Sequence, residues 1–282
     1  MTDVGWSLAV GHRGQVVHTE CTGPHTPETR FDLASTSKQF TALAAILTLD
    51  LDDEDWRLIH HQSGLPDYID LLRARGVPFD QRTTTDDALD VLRGQKLPWD
   101  AGTRFEYSNT NYLLLGIHLA RSNGQPVPDV LQRHVFGPLG LDMTMDPLGR
   151  VPNRATSYDD AGRPADSIWE QVGDGAVWST PAELVRWADA WSEAPFGQGV
   201  LDQQLRSVEA EDGERYGAGI FIAPDGRLHH DGDWGGFRSR FAVDPHARVA
   251  VAMCANQPGL LPDDHGLGLL AEWTAKLRPG RR

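Results

Sequence analysis

Ser35 and Lys38, the ends of "STSK", are the first residues whose types and spacing could do chemistry. Positions three apart on a helix share a face, so the hydroxyl and the amine can meet. Burial at the foot of a cleft would depress the lysine pKa and let the amine take the serine proton. A serine at a helix start also has unpaired main-chain N–H groups beside it, one half of an oxyanion hole. Taken alone, the same residues in front of "QFTALAAIL" are equally a polar helix start with a surface lysine.

Tyr107 and Asn109 form a second group, in "FEYSNTNYLLLG". A phenol near a lysine ammonium has its phenolate favoured and can pass protons. Asn109 can orient the lysine or bind a substrate carbonyl. The segment also reads as a helix capped by Ser108 or Asn109, with an apolar face from Tyr112 to Ile117, and the two readings are compatible. A third group lies in "LHHDGDWGGFRSRF", where a strand carries His230 and Gly232. A strand glycine admits close approach of another backbone or a ligand. The plainer alternative is a bulged hairpin with an exposed histidine pair. Trp234 and Phe237 are candidates for an apolar acyl pocket, or for core packing. Arg238 and Arg240 either meet a carboxylate or sit on a solvated strand face. Neighbouring strand residues point to opposite faces, so His229 and His230 cannot chelate one ion. His60 and His61 have no spaced partner. No metal and no cofactor is expected.

The elements that must position these groups come from both ends of the chain. "GWSLAV", a turn at "GHRG" and "QVVHTEC" predict a hairpin. "YGAGIFIA", "RLHHDG", "FRSRFAVD" and "RVAVAMCAN" predict an antiparallel meander, and "GLGLLAEWTAKL" a closing helix. Residues 61–204 are rich in helix and in Pro and Gly punctuation. "STPAEL" carries a Ser or Thr cap, a first-turn Pro and a Glu. The acidic "DLDDED" at 50–55 is expected to be a solvated loop. The layout is an α/β sheet domain of 1–60 and 205–282 and a helical domain of 61–204. The active site is expected in the cleft between them.

The 282 residues carry a net charge of −14, which argues against nucleic-acid binding. Apolar residues make up 40%, enough for a full core, yet no run is long enough to span a bilayer. The first residues lack a basic region followed by an apolar one, so a cytoplasmic protein is expected. Cys21 and Cys254 are too few for a disulfide framework and are expected to be reduced and buried.

Ser-x-x-Lys, then Tyr-x-Asn in the helical insert, then His-x-Gly on a late strand resembles the serine β-lactamase and penicillin-binding superfamily. The resemblance is to its class C-like branch of esterases, D-aminopeptidases and acyltransferases. "FDLASTSKQFTA", "HHQSGLPDY", "AGTRFEYSNTNYLLLG", "FGPLGLDMT", "GDGAVWSTPAELVRWADA" and "HDGDWGGFRS" extend it along nearly the whole chain. It implies the β-lactamase/transpeptidase-like fold, with an antiparallel sheet flanked by helices. It implies Ser35 as the acylated nucleophile, Lys38 as its activator, and Tyr107 as base and acid oriented by Asn109. His230 and Gly232 match the third box, and the main-chain N–H groups of Ser35 and Asp233 would form the oxyanion hole. The expected function is serine hydrolysis of a small-molecule ester, amide or peptide through an acyl-enzyme. An acyltransferase or peptide cyclase using the same intermediate is the alternative, and an acyl-binding sensor a further one. The oligomeric state is open. Two departures stand out. Asp231 sits where β-lactam-processing members keep a small hydroxyl, and would repel a substrate carboxylate if it faced the cleft. The connector "LTLDLDDEDWRLIHHQSG" is also shorter than is usual in the family, so one wall of the cleft is expected to differ.

Overall fold

Strand β11 (Val249–Ala255) is VAVAMCA, buried at every position, and this marks it as the centre of the molecule. A strand that is apolar on both faces must be covered on both. Val249, Val251 and Met253 lie with Leu8, Val10 and the C-terminal helix Leu267–Leu277 on one face. Ala250, Ala252 and Cys254 join the larger core on the other. The computed structural model describes residues 3–261 and 263–277.

The other strands are β1 (Trp6–His12), β2 (Gln15–Cys21), β3 (Phe31–Asp32), β4 (Thr144–Met145) and β5 (Val177–Ser179) from the first two-thirds of the chain. β6 (Val208–Glu209), β7 (Arg215–Tyr216), β8 (Phe221–Ile222), β9 (Leu228–Trp234) and β10 (Phe237–Asp244) precede β11. The main sheet runs β2-β1-β11-β10-β9-β8-β7-β6, and β3-β5-β4 form a small second sheet. Adjacent strands of the main sheet are antiparallel, so both chain ends build one sheet, with N-terminal β1 paired to β11. Arg13 and Gly14 both take positive φ between β1 and β2, as a two-residue hairpin loop demands.

Helix α1 (Lys38–Thr48) is buried from Lys38 to Ile46, on every side. It lies between the sheet and the helices of the middle segment, of which α5 (Asn109–Asn123) packs directly on it. Helix Pro181–Trp187, capped by the Thr180 hydroxyl, packs on β1, β2 and β11, although the sequence division assigns it to the helical insertion.

The acidic stretch at 50–55 is a helix start rather than a loop. Asp52 caps α2 (Asp53–Ile59), and Asp55 returns the bond to the Asp52 N–H. Asp55 is then buried against α5, where it pairs with His118 at 2.7 Å. Three acidic residues in the first turn complement the helix dipole. The short connector therefore passes from α1 into α2 with only residues 49–52 between them. Cys254 is buried as expected, whereas Cys21, on the edge strand, is only partly so, and both are free thiols.

Candidate active site

Ser35 lies in a short 3₁₀ turn, Ala34–Ser37, that leads straight into α1. In a 3₁₀ helix, residues three apart eclipse one another. Lys38 Nζ accordingly reaches Ser35 Oγ at 2.8 Å. The turn is pinned from several directions. Ser239 Oγ on β10 donates to the Leu33 carbonyl at 2.8 Å, and Thr36 Oγ1 lies 2.9 Å from Ser239 Oγ. The Val177 N–H donates to Ser37 Oγ, and the Ala34 N–H to Asp32 Oδ1. Ala34 is held at φ 48°, an unfavourable value for any residue with a Cβ.

Gly232 on β9 presses against this turn. A Cβ there would collide with the Leu33 carbonyl oxygen and the Ser239 hydroxyl, so only glycine lets β9 approach. Gly232, expected to bind substrate, lies against this turn and is not among the residues that line the cavity beside Ser35.

Lys38 is fully buried, and its ammonium donates to Ser35 Oγ, to Asn109 Oδ1 at 2.7 Å and to the Asp174 carbonyl oxygen at 2.7 Å. Three donors meet three acceptors, the arrangement that satisfies a protonated lysine. Asn109 is oriented in turn by Asp67, which accepts from its N–H and from Nδ2, both at 2.8 Å. The other Asp67 oxygen caps helix α3 (Tyr68–Ala74) through the Ile69 N–H. One carboxylate thus ties two helix N-termini together, where the dipoles favour negative charge. Both ends of the Asn109 amide are engaged, with Lys38 and Asp67, rather than with Tyr107.

Tyr107 presents its ring 5.1 Å from Lys38 Nζ, measured to the centroid. It stacks on the buried imidazole of His61 at 4.2 Å, and His230 lies beyond at 6.2 Å. His61 Nδ1 accepts from the Ser108 N–H at 3.2 Å and lies 3.1 Å from Asn111 Nδ2. The proton of His61 is therefore on Nε2, which donates to the Tyr216 hydroxyl at 3.3 Å. His230 Nδ1 donates to the Asp231 carbonyl at 2.7 Å, leaving Nε2 to accept from Tyr216 at 3.3 Å. Burial, and then the Lys38 charge, push the His230 pKa down to about 3, so its imidazole is neutral at pH 7. The same causes hold His61 well below the ordinary histidine value.

A cavity opens beside Ser35. Asp32, Asp174, Gln171, Tyr68, Trp169 and Trp234 are among its lining residues, and Asn109 and Asp233 reach it as well. Trp234 is thus at the cavity as expected, with its ring against Phe79 and Trp169. Phe237 is not. It is 3% exposed and packs on Phe31 and Trp178 in the core, because its position on β10 points it inward.

Asp231 also differs from expectation. His230 and Gly232 face the turn, so strand alternation sends Asp231 to the opposite face. There it pairs with His265 at 2.5 Å and lies 3.5 Å from Arg240. Asp233 shares that face, with its carboxylate on Arg238, and is also among the residues lining the cavity. Neither Arg238 nor Arg240 lines the cavity. Asp67, Asp174, His61 and Tyr216 had no role assigned from sequence, although "SGLPDY" and "GDGAVWSTP" contain the first two.

The chain belongs to the Beta-lactamase family, whose model matches residues 2–56 and 57–272. The break between the two pieces falls within α2. Among curated relatives it is 28% identical over 283 residues to a D-aminopeptidase of Gluconobacter oxydans, covering 88% of this chain and 53% of that protein. It is 28% identical over 261 residues to penicillin-binding protein 4* of Bacillus subtilis, covering 73% of this chain and 56% of that one. The chain thus spans about half the length of the curated relatives it matches. Among solved structures, a D-stereospecific amidohydrolase from a Streptomyces species has a TM-score of 0.81 at 18% identity, covering 94% of this chain and 93% of that one. The D-amino acid amidase of Ochrobactrum anthropi SV3 has a TM-score of 0.77 at 23% identity, covering 97% and 95%. These two likenesses establish the α/β fold. Among the described residues, no helix is long and apolar enough to cross a membrane.

Proposed function

We propose that this protein is a serine hydrolase that cleaves an amide or peptide bond through an acyl-enzyme on Ser35. The observation that carries the reading is the buried Lys38 ammonium, bonded at once to Ser35 Oγ, Asn109 and the Asp174 carbonyl. With its three N–H groups engaged, Lys38 holds the serine oxygen in place beside the Tyr107 ring. Tyr107 is then the proton carrier. Ser35 Oγ attacks the carbonyl carbon, its proton passes to Tyr107, and the oxyanion is received by the main-chain N–H groups of Ser35 and Asp233. Collapse breaks the C–N bond, and the leaving amine takes the proton from Tyr107. Water then attacks the acyl-enzyme, gives a proton back through Tyr107, and Ser35 is restored as the acid leaves. The D-aminopeptidase relative supports an amide or peptide substrate with a D-residue on the acyl side.

The test is turnover of D- and L-aminoacyl anilides by the wild type and Ser35→Ala, with intact-mass detection of the acyl adduct. Loss of turnover and of adduct in a folded Ser35→Ala variant is expected. Near wild-type turnover in that variant would refute the assignment.

A further inference from the structure

Two neighbouring residues at the start of α3 grip the two acceptors that Lys38 has besides Ser35. Asp67 holds Asn109. Its Oδ2 accepts from the Asn109 N–H and from Nδ2, both at 2.8 Å, which leaves Asn109 Oδ1 to face the ammonium. Tyr68 holds Asp174. Its hydroxyl donates to Oδ2 at 2.8 Å, and the carbonyl of the same residue receives Lys38 Nζ. Neither acceptor is fixed by its own segment alone. Asn109 opens α5 behind Ser108, whose hydroxyl makes no capping bond and is buried without a partner. Asp174 stands between Gly173 and Gly175, which leaves its peptide planes freer to turn than other neighbours would. The two helix starts are also laced to each other. The Tyr68 N–H donates to Thr110 Oγ1 at 2.9 Å, and that hydroxyl donates to the Pro66 carbonyl at 2.7 Å. Tyr68 is 2% exposed, and burial, then the Asp174 charge, hold its phenol well above the ordinary tyrosine pKa, so it stays a donor.

Resting on the serine-hydrolase reading above, we propose that Asp67 and Tyr68 are a pair of positioning residues that together hold the Lys38 ammonium on Ser35 Oγ. The ammonium has three N–H groups and three acceptors on a fully buried side chain, so an acceptor that moves away leaves a buried donor unpaired. Tyr68→Phe keeps the ring, which lines the cavity beside Ser35, and frees only the Asp174 end. Asp67→Asn keeps the size but has one oxygen for donors on two sides. With that oxygen on the Ile69 N–H, the new amide turns the Asn109 amide and sets its NH₂ against the ammonium. With the oxygen on Asn109 instead, α3 loses its cap. Asp67 and Tyr68 touch different partners, yet both reach the chemistry through one lysine, so their effects are coupled.

The experiment measures kcat and KM on an aminoacyl p-nitroanilide, and the rate at which a fluorophosphonate labels Ser35, for the wild type, Tyr68→Phe, Asp67→Asn and the double variant. Each single variant should lower kcat by about tenfold or more and slow labelling, with KM within about twofold, as a misplaced catalytic group does. The double variant should lose clearly less than the product of the two single losses. A raised KM with kcat intact in Tyr68→Phe would make that residue a wall of the cavity and overturn the proposal. So would a lowered denaturation midpoint with kcat and labelling unchanged, which is the mark of a purely structural role. A double loss equal to the product would overturn it as well, since the two residues would then act independently. Tyr68→Phe keeps the ring and removes only a hydroxyl, so its kcat and KM decide the outcome if Asp67→Asn does not fold. If wild-type Ser35 takes no probe and no anilide turns over, the hydrolase reading itself fails. A labelled, active wild type with unaffected variants sinks only the positioning pair.

Discussion

Lys38 Nζ donates to the main-chain carbonyl of Asp174 at 2.7 Å, a contact between residues 136 positions apart. A main-chain acceptor cannot be deleted by changing a side chain, so the position of the lysine depends on the path of the loop that carries residue 174. Gly173 sets that path. It sits at φ 106°, and a Cβ there would lie 2.5 Å from the Tyr112 carbonyl and 3.1 Å from the Gly116 Cα.

Gly173→Ala should therefore displace the Asp174 carbonyl, at about 1–3 kcal/mol of strain. Turnover is expected to fall by about tenfold or more as Lys38 loses a partner. Denaturant unfolding and steady-state kinetics on the same preparation check it. Unchanged kcat would mean that the loop does not hold the lysine.

Tyr107→Phe should lower kcat by about 10²–10⁴-fold with little change in KM, because the phenol is assigned to proton transfer. Its ring, stacked on His61 at 4.2 Å, should keep its place without the hydroxyl. A raised KM with kcat intact would make Tyr107 a binding residue.

Tyr216→Phe removes the middle of the His61–Tyr216–His230 chain and leaves two buried Nε2 atoms unpaired. A loss of about 1–3 kcal/mol in unfolding free energy is expected. A chemical denaturation midpoint equal to wild type would show that the 3.3 Å contacts contribute nothing.

β-Lactam hydrolysis should be weak, but not on account of Asp231. Its carboxylate is on the other face of the sheet, paired with His265. The neutral, buried His230 gives a β-lactam carboxylate no cation to meet. Asp231→Thr is therefore expected to leave nitrocefin turnover unchanged within about twofold, and to cost about 1 kcal/mol or less of stability. A large gain in turnover would return Asp231 to the cleft.

Stability should fall on acidification. His60 at about 4 and His230 at about 3, with His61 also depressed, have folded pKa values below the unfolded one. The unfolded chain then binds more protons, so their contribution is present above pH 6.5 and is lost as pH falls toward 3. Asp32, raised to about 7, and Asp174, also raised, act in the opposite sense. Their contribution is complete below the ordinary carboxyl pKa, and that of Asp32 is lost as pH rises through 7. The three histidines outnumber the two acids, so unfolding free energy should drop as pH falls from 6 to 4.5. Asp32→Asn should steepen that slope, as read from urea unfolding at fixed pH values. A flat profile for both proteins would contradict the burial of neutral histidines.

The strands of the main sheet and the pairing of Ser35 with Lys38 were legible in the order of residues. The meander around β9, β10 and β11 follows from strand-length apolar runs bounded by turn residues, and Ser35 with Lys38 from their spacing of three. These depend on near neighbours, where periodicity and side-chain type act directly. The capped helix at 50–55 was hidden because an acidic run suits either a loop or a helix start, and only the docking of Asp55 against His118 decides between them. Tertiary structure alone decided that Lys38 is held by Asn109 and Asp174, and that Asp67 holds Asn109. It also put Phe237 in the core, turned Asp231 away from the cleft, and gathered Asp32, Asp174 and Gln171 around one cavity. The placements of Phe237 and Asp231 depend on which strand face meets the 3₁₀ turn. Strand alternation fixes that two faces exist, and packing against the Ala34–Ser37 turn chooses between them.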